Sequence, residues 1–310
     1  MILTAIAGFT LLILAAVSSS LSMNFQKLAQ SQTLYYDPRT CLQKRPIALT
    51  TNVCSRPMFL IALILSASAS VLDFVALAFL PTSVVGIFAT LSIVINLMVT
   101  RIVLFESPKR SELLPIFFVF IGCSIALVSS SENFSEQTPP QLLDRWKSGI
   151  FIVFNWMFFI FSSIFLDYSQ SLPLWLEQVG FPLIAGGLGA QNVCMGKYIA
   201  FAVTEMIEKG KLTVRGDCLV AAVCLCIASI VVHIVWLNKG LKKFAAYYCI
   251  IVYQSTWCLF TIICGIVVYD NNDSLSMSKW AFFILGIGTA IFGVITLARV
   301  HAETKDNIIQ

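Results

Sequence analysis

Residues 57–104, PMFLIALILSASASVLDFVALAFLPTSVVGIFATLSIVINLMVTRIVL, hold Asp73 and Arg101 as their only charged side chains. At 1.5 Å rise per residue, about twenty apolar residues cross a hydrocarbon core of about 30 Å. The stretch therefore reads as two membrane-spanning helices, 57–80 and 82–104. Working outward from it, runs of the same kind place helices at 2–27, 113–131, 149–167, 180–206, 217–238, 244–268 and 278–299. The expected fold class is an all-α polytopic membrane protein with nine transmembrane helices.

The whole chain agrees with that reading. Of its 310 residues 58% are hydrophobic and 12% are Asp, Glu, Lys or Arg, and the mean hydropathy is +0.87. Soluble domains carry about twice that charge. Nine helices and their turns use up the length, which excludes a sizeable catalytic or DNA-binding ectodomain. The formal charge of +4 then belongs to loops facing a lipid bilayer, and no nucleic-acid partner is expected. Eight of the ten cysteines, from Cys123 to Cys264, lie in or beside apolar runs and read as small packing residues rather than a disulfide framework. The first run has no basic residue ahead of it and reads as a retained helix, with a cleaved signal as the alternative.

Orientation follows from the basic residues. With the N-terminus outside, thirteen Lys and Arg fall on the inner side, among them Lys27, Arg56, Lys109, Lys239, Lys242 and Lys243, against six outside. This favours N-out and C-in. The Asn-x-Ser/Thr patterns at Asn133 and Asn272 both fall on the outer side, as glycan acceptors require.

An internal repeat is also legible. Glu106 and Gly122 are sixteen residues apart, and so are Asp270 and Gly286. Helices one and six each carry a small-residue stretch followed by Asn and Lys: Ser18, Ser19 and Ser20 with Asn24 and Lys27, then Gly186, Gly187 and Gly189 with Asn192 and Lys197. Four helices, a fifth, then four again make the halves inverted copies, the mark of alternating-access carriers. The expected domains are a first repeat at 1–131, a linking helix and loops at 132–179, a second repeat at 180–300 and a cytoplasmic tail at 301–310.

Several motifs resemble those of the NIPA magnesium transporters, within the drug/metabolite transporter superfamily. In the first half they are Asp73-Phe74-Val75-Ala76-Leu77-Ala78-Phe79-Leu80-Pro81 and Ala89-Thr90-Leu91-Ser92-Ile93-Val94. In the second they are Gly189-Ala190 with Val193, Lys197 and Glu205, and Leu237-Asn238-Lys239-Gly240-Leu241-Lys242-Lys243-Phe244. Acidic residues ending helices three and eight, Glu106 and Asp270, fit as well. The resemblance spans nearly all of the chain and implies a divalent-cation carrier with Mg2+ as substrate. There are departures. Where the family tends to have Glu and then Asn in the second helix, this chain has Ser70 and Asp73, which moves the carboxylate by one turn on the same face. Prolines early in helices three and eight are replaced by Ile87 and Ile251, and His233 and Val235 stand where the family carries amides.

Ionisable groups inside a span are functional candidates, because each costs roughly 2.5 to 3.5 kcal/mol to insert. Asp73 is the sharpest and is the expected metal ligand, with Asn192; Mg2+ takes oxygen ligands and keeps several waters. Lys197 is read as a partner for Asp73, a gate or a packing residue. Asn24, Gln191, Asn192 and Asn238 are candidates along the transport pathway, as neutral oxygens or as glue between helices. The glycines of helix six allow either unwinding or close packing. His233 is a candidate proton acceptor or a structural imidazole. Cys224 and Cys226 point about 200° apart on a helix and form no metal site.

The expected function is magnesium transport by alternating access. The alternative is a metabolite or nucleotide-sugar carrier of the same superfamily. An enzyme is not expected, since Asp73 and His233 lie near opposite faces rather than paired at one depth; nothing demands ATP, as no Gly-x-x-x-x-Gly-Lys-Ser/Thr loop is present. No cofactor is expected beyond the transported ion. The expected location is the plasma membrane or an endosomal membrane, with a homodimer left open.

Overall fold

The computed structural model describes residues 2–31, 57–79, 82–130, 146–168, 173–209, 216–264 and 277–309. These residues form nine helices: α1 Ile2–Ser31, α2 Pro57–Phe79, α3 Thr82–Val103, α4 Arg110–Ser130, α5 Trp146–Tyr168, α6 Leu174–Lys209, α7 Gly216–Lys243, α8 Ala246–Cys264 and α9 Met277–Ile309. Every element is helical, as a bilayer demands of backbone that must satisfy its own hydrogen bonds. Five helices, α1, α4, α7, α8 and α9, are long and apolar enough among their described residues to cross a membrane. The corresponding apolar stretches of α2, α3 and α5 are shorter. Side chains exposed on the outer faces are largely apolar, as in Phe154, Phe161 and Phe165 of α5 and Phe282, Leu285 and Phe292 of α9. An apolar surface of this kind suits lipid, not water.

Several boundaries move from their expected positions. The start of α4 is set by Glu112, whose Oε2 accepts the Lys109 backbone N–H at 2.7 Å, the carboxylate half of a capping box. Leu174–Lys209 and Met277–Ile309 extend past the expected 180–206 and 278–299, because the added residues hold no Gly or Pro to stop a helix once packing has begun it. Residues 301–309, expected as a tail, are thus the last turns of α9. Between α3 and α4, Phe105 sits at φ 56°, a left-handed position unusual for a residue with a side chain, and the next residue, Glu106, turns back toward α8.

The core is centred on α8, which buries Ala246 through Thr256 without interruption. It packs against α3, α4, α6 and α7, while α1 pairs with α2 and α3, α6 with α7, and α4 with α9. The α4–α9 crossing is the closest. A Cβ on Gly122 would lie 2.3 Å from the Ala290 backbone N, and one on Gly286 would lie 2.5 Å from that of Ala126. Gly122 with Ala126, and Gly286 with Ala290, are small residues four apart on facing helices, which lets two backbones touch where lipid supplies no hydrophobic drive. Gly187 likewise forms a notch for Phe159 of α5, whose ring atoms would be 1.9 Å from a Cβ there. Of the two readings of the helix-six glycines, the structure has the packed one, since α6 is continuous through them.

Candidate ion pathway

Among the described side chains of α2 the most deeply buried are Ala62, Ala69 and Ala76. They share a face at heptad spacing, and Asp73 lies four residues after one and three before the next, on that same face. The alanines let α1 come close: Ser22 of α1 donates to the Ala62 carbonyl at 2.7 Å. Asp73 itself is half-buried and forms no hydrogen bond or ion pair among the described residues. Asn24 stands two residues from Ser22, Asp73 eleven from Ala62. At 1.5 Å per residue the two differ in level by at least about 13 Å. They belong to different parts of any pathway.

A second group lies where α6, α7 and α8 meet. Ser229 of α7 donates to the Leu188 carbonyl of α6 at 2.7 Å, and the His233 Nδ1 lies 3.2 Å from the Ser229 carbonyl one turn on. The His233 ring stacks on Tyr253 with centroids 6.3 Å apart. Gln191 is buried and its amide reaches the Cys264 Sγ at 3.5 Å. The Gln191 Oε1 and Asn192 Oδ1 are buried without a partner among the described residues. So are the Asn24 Oδ1 in α1 and the Asn96 Oδ1 and Thr100 Oγ1 in α3. Unpaired buried oxygens of this kind are rare, and they are the donors a hard cation takes. Among the described residues no three His, Cys, Asp or Glu side chains come together as a metal cluster. Cys224 is exposed and Cys226 half-buried on one helix, α7.

The third group is at the end of the bundle where α7 turns into α8. Lys27 donates to the Leu241 carbonyl and, at 2.7 Å, to that of Phe244. Glu106 Oε2 accepts the Ala246 N–H at 2.6 Å. Asn238 donates to Gln26 Oε1 at 3.1 Å, and Gln26 donates to Ser22 at 3.3 Å. Beside them the buried Glu112 accepts the Tyr247 hydroxyl at 3.0 Å and pairs with His301 Nδ1 at 2.8 Å, with the His301 ring stacked on Tyr248 at 4.6 Å. Lys243 pairs with Glu177 of α6, and Lys239 lies 4.1 Å from the centre of the Trp236 ring.

The described residues thus form helices with apolar outer faces, buried oxygens without partners and, on α2, the half-buried carboxylate of Asp73. Residues 4–303 match the family described as magnesium transporter NIPA. The chain belongs to that family. Among curated proteins it is similar to the probable magnesium transporter NIPA7 of Arabidopsis thaliana, 22% identical over 261 residues that cover 80% of this chain and 76% of the relative. It is also similar to the probable magnesium transporter NIPA8 of the same plant, 19% identical over 253 residues, 76% of this chain and 57% of that relative. No solved structure matches.

In this NIPA chain the sequence candidates divide among the three groups. Gln191, Asn192 and His233 lie on α6 and α7 where these pack on α8, but Gln191 meets Cys264 and His233 meets Tyr253, eleven residues apart on α8; Asn238 lies at the α7–α8 turn with Asn24 close by on α1, and Asp73 stands apart on α2. The side chain of Lys197 is outside the described residues, as are Asn133, Asp270, Asn272 and the loop 32–56. Sequence reasoning did not single out Gln26, Asn96, Thr100, Glu112, Tyr247 or His301. The signal available for His301 was its rarity, since the chain has two histidines. For Lys27 and Glu106 the signal was their place in the repeat.

Proposed function

We propose that this chain carries Mg2+ across its membrane by alternating access, through a pathway between two inverted four-helix units, α1–α4 and α6–α9, with α5 as the linking helix. The observation that carries the substrate is the family match over residues 4–303. The pattern of helix pairing supports the mechanism. Exchanging α1–α4 for α6–α9 turns the α1–α2 pairing into α6–α7, α1–α3 into α6–α8 and α3–α4 into α8–α9, while α3–α8 and α4–α9 map onto themselves. Gly122 and Gly286, equivalent in the repeat, face each other across the last of these. Each outer pair also carries a serine-to-carbonyl bond, Ser22 to Ala62 and Ser229 to Leu188. In this reading all nine helices cross the bilayer, N-terminus outside and C-terminus in the cytoplasm.

Asp73 supplies the charge for the ion on α2 and Asn192 a neutral oxygen on α6 that the ion meets at another point of its passage, with waters completing the shell at each. Gln191 beside Asn192, and Asn24 and Asn238 at further levels, offer more oxygens, and Lys197 is the counter-charge. A dication gains about 2.3 kcal/mol per charge per 100 mV from an inside-negative potential, so inward flux needs no coupled ion. The test is thermal unfolding of the purified protein with and without Mg2+. At a concentration 100 times the dissociation constant, binding stabilises by about 2.7 kcal/mol. Saturable stabilisation that Asp73→Asn removes, in a variant that folds as the unaltered chain does without Mg2+, supports the site; equal stabilisation of both proteins rules Asp73 out.

A further inference from the structure

We propose that Lys27, Gln26 and Glu106 form a latch that holds the α7–α8 turn and closes one mouth of the pathway, and that the latch must release once in each transport cycle. The proposal rests on the carrier reading above. It starts from an unusual arrangement of caps. A helix end leaves carbonyls or N–H groups unpaired, and neighbouring residues ordinarily satisfy them. Here both ends that meet at the turn are served from the other half of the molecule. The cation of Lys27, on α1, takes the Leu241 and Phe244 carbonyls at the end of α7, where the helix dipole favours positive charge. The carboxylate of Glu106, in the α3–α4 connection, takes the first N–H of α8, where the dipole favours negative charge.

A third contact binds the same level: Asn238 of α7 to Gln26 of α1, which is tied through Ser22 to α2. Three polar contacts from two elements of the first half thus grip one turn of the second. The grip closes the mouth there, since Leu241, Phe244, Ala246 and Tyr247 are all buried.

The chemistry suits a part that opens. Hydrogen bonds between such groups exchange for bonds to water, so much of their strength is recovered when the turn is released. Lys27, Glu106, Gln26 and Asn238 all remain satisfied when hydrated. The α4–α9 crossing, where backbones touch through Gly122 and Gly286, has no such alternative and serves as the fixed joint.

Two measurements on the full reconstituted chain test this. In the first, a cysteine replaces Asn238 and its reaction with a membrane-impermeant maleimide is timed, with and without Lys27→Met, against the unaltered chain as background. Loss of a charge-assisted bond is expected to speed labelling about tenfold, as the turn spends more time open. An unchanged rate in a folded variant overturns the latch, whatever the protein carries. In the second, Gln26→Cys and Asn238→Cys are joined by a short reducible bis-methanethiosulfonate, and Mg2+ uptake is followed. Uptake is expected to fall at least about tenfold below that of the same double variant before cross-linking, and to recover on reduction. Undiminished uptake by fully cross-linked protein overturns the proposal. If the unaltered chain takes up no ion, the carrier reading fails, and the labelling rate still decides whether the turn is held by Lys27.

Discussion

Glu112 shows what single residues contribute to this fold. Fully buried, it takes the Lys109 N–H, the Tyr247 hydroxyl and His301 at once, so one carboxylate joins the starts of α4 and α8 to the end of α9. Glu112→Ala leaves those partners without an acceptor inside the protein, and each unpaired buried group costs about 1–3 kcal/mol. The expected loss is on the order of 3 kcal/mol, read as a lowered midpoint of unfolding in detergent. Tyr247→Phe removes only one neutral donor and should cost about 1 kcal/mol. Equal losses in the two variants would mean that Glu112 acts through Tyr247 alone. None of this was legible beforehand. Glu112 stands in a row of ordinary residues, and its partners are 135 and 189 residues away in the chain. Asp73 was legible for the opposite reason, because a carboxylate inside an apolar run is conspicuous without any knowledge of its neighbours.

At the scale of elements, close backbone approach decides how the helices meet. Gly122→Leu would drive a side chain into the Ala290 and Gly286 backbones, and the expected result is a chain that no longer purifies as a single folded species. Gly288 is the control: it lies on the same helix as Gly286, and nothing stands within 4 Å of a Cβ there, so Gly288→Ala should leave folding unchanged. Phe159→Ala empties the notch at Gly187 and should cost about 3–5 kcal/mol, loosening α5 from α6; a loss under about 1 kcal/mol would show that α5 is held by its other contacts. The helices themselves were readable from apolar runs, since length and hydropathy are properties of one segment at a time. Their pairing was not, with one exception. The equal spacing of Glu106 to Gly122 and of Asp270 to Gly286 marked the two glycines as equivalent, and the structure brings those two together. The boundaries of α4, α6 and α9 shifted because a cap or a continuing helix former, rather than the edge of the apolar run, ends a helix.

For the whole molecule the account makes a topological prediction. If Lys27, Lys109 and Lys243 lie on the cytoplasmic side, cysteines placed at exposed Lys109 and at Met277 must label from opposite faces of sealed vesicles, Lys109→Cys from the cytoplasmic face and Met277→Cys from the other. Labelling of both from one face would break the inverted arrangement, since α9 must cross for the halves to be copies. The candidate site was legible only as a list of polar residues. Helix register divides that list by level and by helix, and it separates Asn24 from Asp73 although both attract attention for the same reason. The measurement that bears most directly on the function is uptake into proteoliposomes holding the purified chain, with a Mg2+-sensitive dye inside and an inside-negative potential imposed. The account predicts saturable Mg2+ entry that rises with the potential and is lost in Asp73→Ala while the protein stays folded. A folded, correctly inserted chain that admits no Mg2+ under that gradient would contradict it.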